Sequence, residues 1–263
     1  MMMHKSNHPY HMVTISPWPL ILSINLFLFS MGLISWFYMM NFKLMIMSSL
    51  TLTLSLSQWW RDVIRESTFQ GFHTYKVIKG LKLGMILFII SEMFFFISIF
   101  WCYFHMFLSP SIEIGMLWPP KNIFMFNPYD IPLLNTIILI SSGITITCSH
   151  YYLMNNKLSK SINFLYLTIM LSGMFSIIQF YEYFYATFTI SDSVFGSIFF
   201  MTTGFHGLHV FIGTLFLMVS LFRMINNHFS SNHHFGFEAA AWYWHFVDVV
   251  WLLLYMLLYW WSY

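Results

Sequence analysis

Two acidic residues lie deep inside long apolar stretches of this sequence, where an ionisable side chain could hold a proton. Glu92 stands near the middle of one apolar run, and Asp248 lies inside the last run. On insertion scales a carboxylate at the centre of a membrane helix costs about 2.5–3.5 kcal/mol, so such groups are candidates for function. Glu92 could hold a proton, bind a lipid headgroup or hydrogen-bond a neighbouring helix, and its position alone leaves these roles open.

Histidines accompany the second acid and occupy the preceding apolar run. Asp248 follows His245 by three positions and Glu238 precedes it by seven, which places all three along one flank of a helix. A histidine–carboxylate pair can relay protons or orient a metal ligand, but we favour a structural hydrogen bond that lets polar residues lie inside a bundle. His206 and His209 are spaced so that they could share a metal. Because the sequence nominates no further converging ligands, we predict no metal site.

The composition shows that membrane helices must position these residues. The chain has 263 residues, of which 59% are hydrophobic and only 8% charged, whereas soluble proteins carry about 25% charged residues. A water-soluble globule is therefore excluded, and the lack of a basic tail or patch argues against nucleic-acid binding. Cys102 and Cys148 lie far apart in apolar runs, and no haem-attachment or dinucleotide-binding motif is found. We expect no redox cofactor bound by this chain.

Seven apolar runs are long enough to cross a bilayer, which predicts an all-α membrane protein with seven transmembrane helices. The runs cover 16–38, 44–60, 83–108, 131–154, 162–181, 193–222 and 239–259. The connection between the first two is so short that they should form a hairpin. We divide the chain into an N-terminal tail with helices 1–2 (1–60), a loop on the matrix or cytoplasmic side (61–82) and helices 3–7 (83–263). Nine of the eleven basic residues fall on the N-terminal side, so the N-terminus should face the matrix or cytoplasm.

Several segments along the whole chain resemble the cytochrome c oxidase subunit III family. They are HPYH at 8–11, SPWP at 16–19, WWRDVIRE at 59–66, GMILFI at 84–89 with SE at 91–92, WPP at 118–120, PLLNT at 132–136, FTISD at 188–192, TGFHGLHV at 203–210 and HHFGFEAAAWYWHFVD at 233–248. So many segments in the same order are far more specific than the apolar runs alone.

The resemblance implies a fold in which a two-helix hairpin is separated from a five-helix bundle by a lipid-filled cleft. It also implies a non-redox core subunit of an oxidoreductase and translocase, cytochrome c oxidase, which reduces O2 to water and translocates protons. Haem and copper would lie in subunits I and II, which would be partners together with smaller accessory subunits and structural phospholipids. The expected location is the mitochondrial inner membrane, with the N-terminus in the matrix and the C-terminus in the intermembrane space.

The resemblance also suggests roles for individual residues, none of them catalytic or metal-binding. Glu92 would support proton uptake by the catalytic subunit. A second group of residues would line lipid sites: Trp60, Arg65, Glu66, His73 and Arg223. A third group would be structural polar residues: His206, His209, His245 and Asp248.

Two other functions compete with this interpretation. An independent proton or ion transporter could use Glu92 and Asp248, although the sequence contains no internal repeat of the kind found in many secondary transporters. The equivalent subunit of a quinol oxidase is a closer alternative, because it shares the same family.

Overall fold

A computed structural model describes residues 8–263, and all regular elements within this range are helices. The seven α-helices are α1 (Trp18–Met39), α2 (Lys43–Thr68), α3 (Tyr75–Leu108), α4 (Ile131–Met154), α5 (Leu158–Phe184), α6 (Ser193–Ile225) and α7 (Phe235–Leu254). A short 3-10 helix, Ile112–Ile114, lies between α3 and α4, and α7 continues as a π-helical segment, Tyr255–Trp260. The all-α prediction is confirmed.

Six of the helices are long and apolar enough to cross a membrane; α2 is long enough but less apolar than the other six. The reason is that hydroxyl side chains alternate with leucines along its predicted span. These hydroxyls donate to carbonyl oxygens of the same helix, as Thr53 does to Leu50 at 2.9 Å and Ser57 to Leu54 at 2.8 Å. Their polarity is thus satisfied inside the helix, which is compatible with an apolar environment.

The segment 61–82 differs from the predicted loop, because most of it is helical. α2 continues to Thr68 and α3 begins at Tyr75, so that only residues 69–74 form the turn, with Gly71 at a φ of 69°. Charged residues mark where a helix leaves the hydrocarbon and not where its backbone hydrogen bonding ends. Inside this extension the guanidinium of Arg65 lies 3.6 Å from the Asp62 carboxylate, an i,i+3 pair.

The chain divides into two compact units, and the first, Met1–Leu81, is built on the pair α1 and α2. A Cβ atom at Gly32 would lie 2.7 Å from the backbone of Met45, so the two helices touch where the side chain is absent. Further along the pair, the buried Asn25 amide donates to the Ser55 hydroxyl at 3.3 Å and accepts from Thr51 at 3.0 Å. The predicted hairpin is therefore held by close backbone packing and one buried polar cluster.

The second unit, Lys82–Tyr263, contains the rest of α3 and the helices α4–α7 around an aromatic core. α4 and α7 are its most enclosed helices, whereas α3 exposes most of its apolar surface. The largest completely buried side chains are Trp244, Trp251, Tyr103, Tyr259, Phe96, Phe175, Phe195, Phe199 and Phe237. The exposed apolar surface of α3, by contrast, is the kind of surface that a membrane helix presents to lipid.

Candidate functional site

Glu92 on α3 and His209 on α6 form a pair inside the second unit. The carboxylate Oε2 lies 3.0 Å from the histidine Nε2, although the two residues are 117 positions apart in sequence. The histidine side chain is 9% exposed and that of Glu92 is 28% exposed. The pair is therefore enclosed on its α6 side and reachable from outside the unit on its α3 side.

The hydrogen bonds of His209 define where a proton can reside. Its Nδ1 lies 2.7 Å from the carbonyl oxygen of Phe205, and because a carbonyl oxygen only accepts, Nδ1 must carry a proton. The short contact between Nε2 and Glu92 then requires one further proton, bound either to the ring or to the carboxyl group. The two residues can thus exchange a single proton over one hydrogen bond.

Aromatic rings surround this pair. The His209 ring lies edge-on to Phe96 at a centroid distance of 5.1 Å and stacks with Tyr243 at 6.2 Å, while Phe246 approaches it at 6.4 Å. These rings come from α3 and α7. They exclude water from one side of the pair, which strengthens the hydrogen bond between Glu92 and His209.

His206, one turn before His209, is completely buried and contacts a different set of residues from His209. Its Nε2 donates to the carbonyl oxygen of Val247 at 3.2 Å, which ties α6 to α7. Its ring lies against Trp251 at 5.0 Å and Phe175 at 5.7 Å. The HxxH spacing therefore does not bring His206 and His209 to a shared ligand, because each ring has its own partner.

His245 and Asp248 are neighbours on α7, but they are not hydrogen-bonded. His245 Nδ1 lies 3.8 Å from Asp248 Oδ2, beyond hydrogen-bond distance. The same Asp248 oxygen packs against Gly143 of α4, so closely that a Cβ atom added to this glycine would lie only 2.8 Å from it. The hydrogen bond expected between His245 and Asp248 is thus replaced by close packing of the carboxylate against a glycine on another helix. Glu238, expected on the same flank, belongs to a different group of residues.

This other group is a cluster of three ionisable ligands that the sequence reasoning missed. His150 on α4, His234 before α7 and Glu238 in its first turn have one ligand atom each within 4.8 Å of one another. Lys82 of α3 completes the cluster, with its ammonium nitrogen 2.6 Å from Glu238 Oε2. The i,i+4 spacing of His234 and Glu238 was visible in the sequence. That α3 and α4 bring Lys82 and His150 close to these two residues could be learned only from the folded structure. The sequence did not nominate these residues as converging ligands, and the expectation that this chain has no metal site stays a prediction.

Glu182 is a further residue that the sequence reasoning missed. It lies one position beyond the predicted span 162–181, but α5 continues to Phe184, and the Glu182 side chain is completely buried. The signal was present in the sequence, since no proline or glycine follows the predicted span before the end of α5 to stop the helix. Four acids, Glu92, Glu182, Glu238 and Asp248, therefore lie within the helices that are apolar enough to span a membrane.

Four of the predicted lipid-site residues belong to the first unit. Trp60 is 61% exposed, and the side chain of Arg65 is 55% exposed, so both residues are accessible on α2. Glu66 is largely enclosed, with its Oε2 3.8 Å from His11 Nε2, and His73 is half-buried in the turn before α3. Indole, guanidinium and imidazole groups are each able to contact the interfacial part of a phospholipid, and the lipid-binding role of these residues stays a prediction.

Arg223 lies in the second unit, in the last turn of α6. Its guanidinium lies over the Phe229 ring, 4.4 Å from the ring centroid. Burial, together with the Arg223 charge, lowers the pKa of nearby His233, so this imidazole favours its neutral form. The positive charge in this corner of the unit therefore resides mainly on Arg223.

Comparison with known proteins identifies relatives over nearly the full length. A family model described as cytochrome c oxidase subunit III matches residues 8–263. Among curated proteins, the chain is 56% identical to cytochrome c oxidase subunit 3 of Drosophila melanogaster over 257 residues, covering 98% of both chains. The same protein of Aedes aegypti is 58% identical with the same coverage, and that of Rhipicephalus sanguineus is 58% identical over 97% of this chain and 99% of its own.

Proposed function

The chain belongs to the cytochrome c oxidase subunit III family, and from this premise we propose that it sustains proton uptake and lipid binding in the oxidase. It is a multi-pass membrane subunit of an oxidoreductase complex, respiratory complex IV, that reduces O2 to water and translocates protons. Haem and copper belong to the partner subunits I and II, and this chain contributes no redox centre of its own. Its role is then to support the proton movement and stability of the catalytic subunit.

The contact between Glu92 and His209 is the observation that carries the proton-uptake role. A carboxylate at membrane depth is costly unless it is paired, and pairing with His209 at 3.0 Å offsets that cost. The pair holds one exchangeable proton, and Glu92 retains 28% exposure toward the outside of the unit. A partner subunit packed there could draw on this proton or return one to it.

Lipid binding is the second part of the proposed role. Trp60, Arg65, Glu66 and His73 provide an interfacial set in the first unit, and Arg223 provides a guanidinium in the second. Basic residues near the membrane surface attract anionic headgroups by about 1 kcal/mol each. Phospholipids bound by these residues would stabilise the subunit within the complex.

The proposed location is the mitochondrial inner membrane, with the N-terminus in the matrix and the C-terminus in the intermembrane space. The distribution of basic residues supports this orientation, since nine of eleven lie on the N-terminal side. Subunits I and II and smaller accessory subunits are the proposed protein partners. The names of the relatives favour a cytochrome c oxidase over an independent ion transporter or a quinol oxidase.

Glu92→Gln in the assembled oxidase tests the proton-uptake role. Glutamine keeps the size of the side chain and can still hydrogen-bond His209, but it cannot release a proton. We expect fewer protons translocated per electron and a shorter active lifetime during turnover, while the optical spectra of the haems stay unchanged. Proton translocation is measured in reconstituted vesicles, and lifetime is measured as the decay of oxygen consumption.

Glu113→Gln provides the matched control, because Glu113 is an exposed acid in the 3-10 helix between α3 and α4. This variant should translocate protons and inactivate like the unchanged oxidase. Equal translocation and equal lifetime in Glu92→Gln and Glu113→Gln would remove the functional role of Glu92.

A further inference from the structure

We propose that His150, His234 and Glu238 form a binding site for a divalent transition-metal ion, for which zinc is the best fit. The three residues contribute two imidazole nitrogens and one carboxylate oxygen, all within 4.8 Å of one another. Two histidines and one carboxylate are a common ligand set of zinc, with the fourth position left to water. The site is separate from Glu92 and does not depend on the role proposed for that residue.

The distances fit a single ion. In a tetrahedral site with metal–ligand bonds of about 2.0–2.2 Å, neighbouring ligand atoms lie about 3.3–3.6 Å apart. The Nε2 atoms of His150 and His234 are 3.1 Å apart, and Glu238 Oε1 is 3.5 Å from His234 Nε2. Small rotations of the side chains are therefore sufficient to close the ligands around an ion.

Hydrogen bonds already orient two of the ligands. His234 Nδ1 donates to the carbonyl oxygen of Ser230 at 3.0 Å, so the lone pair of a neutral His234 ring lies on Nε2, the atom that faces the cluster. A histidine that ligates a metal usually donates its other ring N–H to a carbonyl or carboxylate in this way. For Glu238, Lys82 pairs with Oε2 at 2.6 Å and leaves Oε1 toward the histidines.

The contact between the two histidines also requires little rearrangement on binding. Since His234 Nε2 has no proton when the ring is neutral, His150 Nε2 is the donor across the 3.1 Å contact. Coordination requires His150 to place its proton on Nδ1 instead, which changes the tautomer and releases no proton. The ion then replaces a single hydrogen bond between α4 and the start of α7.

The backbone positions of two ligands are fixed by the first turn of α7. The amide nitrogens of Phe237 and Glu238 donate to the carbonyl oxygen of His234 at 2.9 and 3.1 Å. The Phe237 ring also lies 5.8 Å from the ring of His150 and limits its rotation. His150 and Glu238 are only partly buried, so an ion can reach the site. The nearby Lys82 charge should make the site weaker than a closed four-ligand site.

Metal content of the purified, assembled oxidase tests the proposal. The complex is stripped with a chelator and dialysed against zinc chloride at micromolar concentration, and bound zinc per complex is then measured by elemental mass spectrometry. His150→Gln and His234→Gln should each bind one zinc equivalent fewer than the unchanged complex. The matched control is His233→Gln, which changes the residue beside His234 and should bind as much zinc as the unchanged complex.

A zinc content that stays the same in both ligand variants would overturn the proposal. If a variant fails to assemble, the unmodified complex decides the question through zinc-edge anomalous scattering of crystals treated with zinc or chelator. A zinc peak within about 2.2 Å of both Nε2 atoms and of a Glu238 oxygen supports the site. An intact contact between His150 and His234 at saturating zinc, without a peak, excludes it. Neither readout depends on turnover, so failure here leaves the role of Glu92 untouched.

Discussion

Trp244 donates its indole N–H to the hydroxyl of Ser142 at 2.9 Å, and both side chains are completely buried. The Ser142 hydroxyl in turn donates to the carbonyl oxygen of Leu139 in its own helix. This chain of hydrogen bonds joins α7 to α4, the two most enclosed helices of the second unit. It satisfies the indole in a place where an unpaired N–H would be costly.

Ser142→Ala is therefore expected to destabilise the second unit. The substitution leaves the buried indole N–H of Trp244 without its acceptor, which costs about 1–3 kcal/mol. The midpoint of thermal unfolding of the assembled complex should fall accordingly. Ser141→Ala is the control, since the hydroxyl of Ser141 bonds only the Ile138 carbonyl of its own helix. Equal midpoints for the two variants would contradict the importance of this bond.

The titration of Asp62 provides a test of the first unit. The indole of Trp18 donates to Asp62 Oδ2 at 2.7 Å, and this bond, with the help of Arg61 and Arg65, lowers the pKa of the Asp62 carboxyl. A group whose pKa is depressed in the folded protein stabilises it above the unfolded value of about 3.9, and this contribution is lost as the pH falls through the folded pKa. The contact between α1 and α2 should therefore weaken only at strongly acidic pH.

Trp18→Phe removes the first and largest cause of this shift. The pKa of the Asp62 carboxyl should then rise toward its ordinary value, and the acid-induced weakening should begin at a higher pH. Infrared titration of the carboxylate bands, with Asp62→Asn as the difference reference, measures the change. Trp36→Phe, at the other end of α1, should leave the Asp62 titration where it is. An unchanged titration in Trp18→Phe would show that the indole bond does not form.

Gly32→Ala should disrupt the pairing of α1 with α2. The added Cβ would lie 2.7 Å from the Met45 backbone, which cannot yield as a flexible side chain would. Overpacking of this kind costs about 1–3 kcal/mol, more than the gain of up to about 1 kcal/mol from replacing glycine in a helix. Gly84→Ala in α3 meets nothing within 4 Å and should be neutral or stabilising. The comparison is made by thermal unfolding, and a neutral Gly32→Ala would argue against close helix contact.

Arg223→Gln should weaken phospholipid retention. Removing one basic residue near the membrane surface is worth about 1 kcal/mol, or about a fivefold loss of affinity for an anionic headgroup. Phospholipid phosphorus retained per complex during stepwise detergent extraction measures the effect. Arg223→Lys preserves the charge and should retain most of the lipid, and Lys121→Gln, on the opposite side by the predicted orientation, should retain all of it. Equal loss of lipid in the glutamine and lysine variants would rule out an electrostatic cause.

The helices could be predicted from the sequence because long apolar runs have few alternatives in a membrane. The lengths of the helices could not be predicted, because charged residues mark the edge of the hydrocarbon and the helix continues beyond it. An example is the extension of α2 through Arg65 to Thr68. The burial of Glu182 was missed for the same reason. A span boundary placed at the last apolar residue excluded an acid that the continuing helix carries into the core.

The candidate site was only half predictable. Glu92, His209, His245 and Asp248 could be selected by type and depth, but their partners could not, because pairing is decided by helix packing. Glu92 meets His209 across 117 positions, whereas Asp248, three positions from His245, packs against Gly143 instead. Proximity in sequence was therefore a poor guide to contact, and the cluster of His150, His234 and Glu238 appears only when α4 and α7 are placed together.

The bond from His209 Nδ1 to the Phe205 carbonyl oxygen has a consequence for the direction of proton movement. An imidazole conducts protons when one nitrogen receives while the other releases to a new acceptor. Here the second nitrogen faces a backbone carbonyl, which cannot take up a proton as a carboxylate or water can. In the proposed proton-uptake role, a proton that enters from Glu92 would therefore also leave through Glu92, and the pair would store a proton without forming a path across α6.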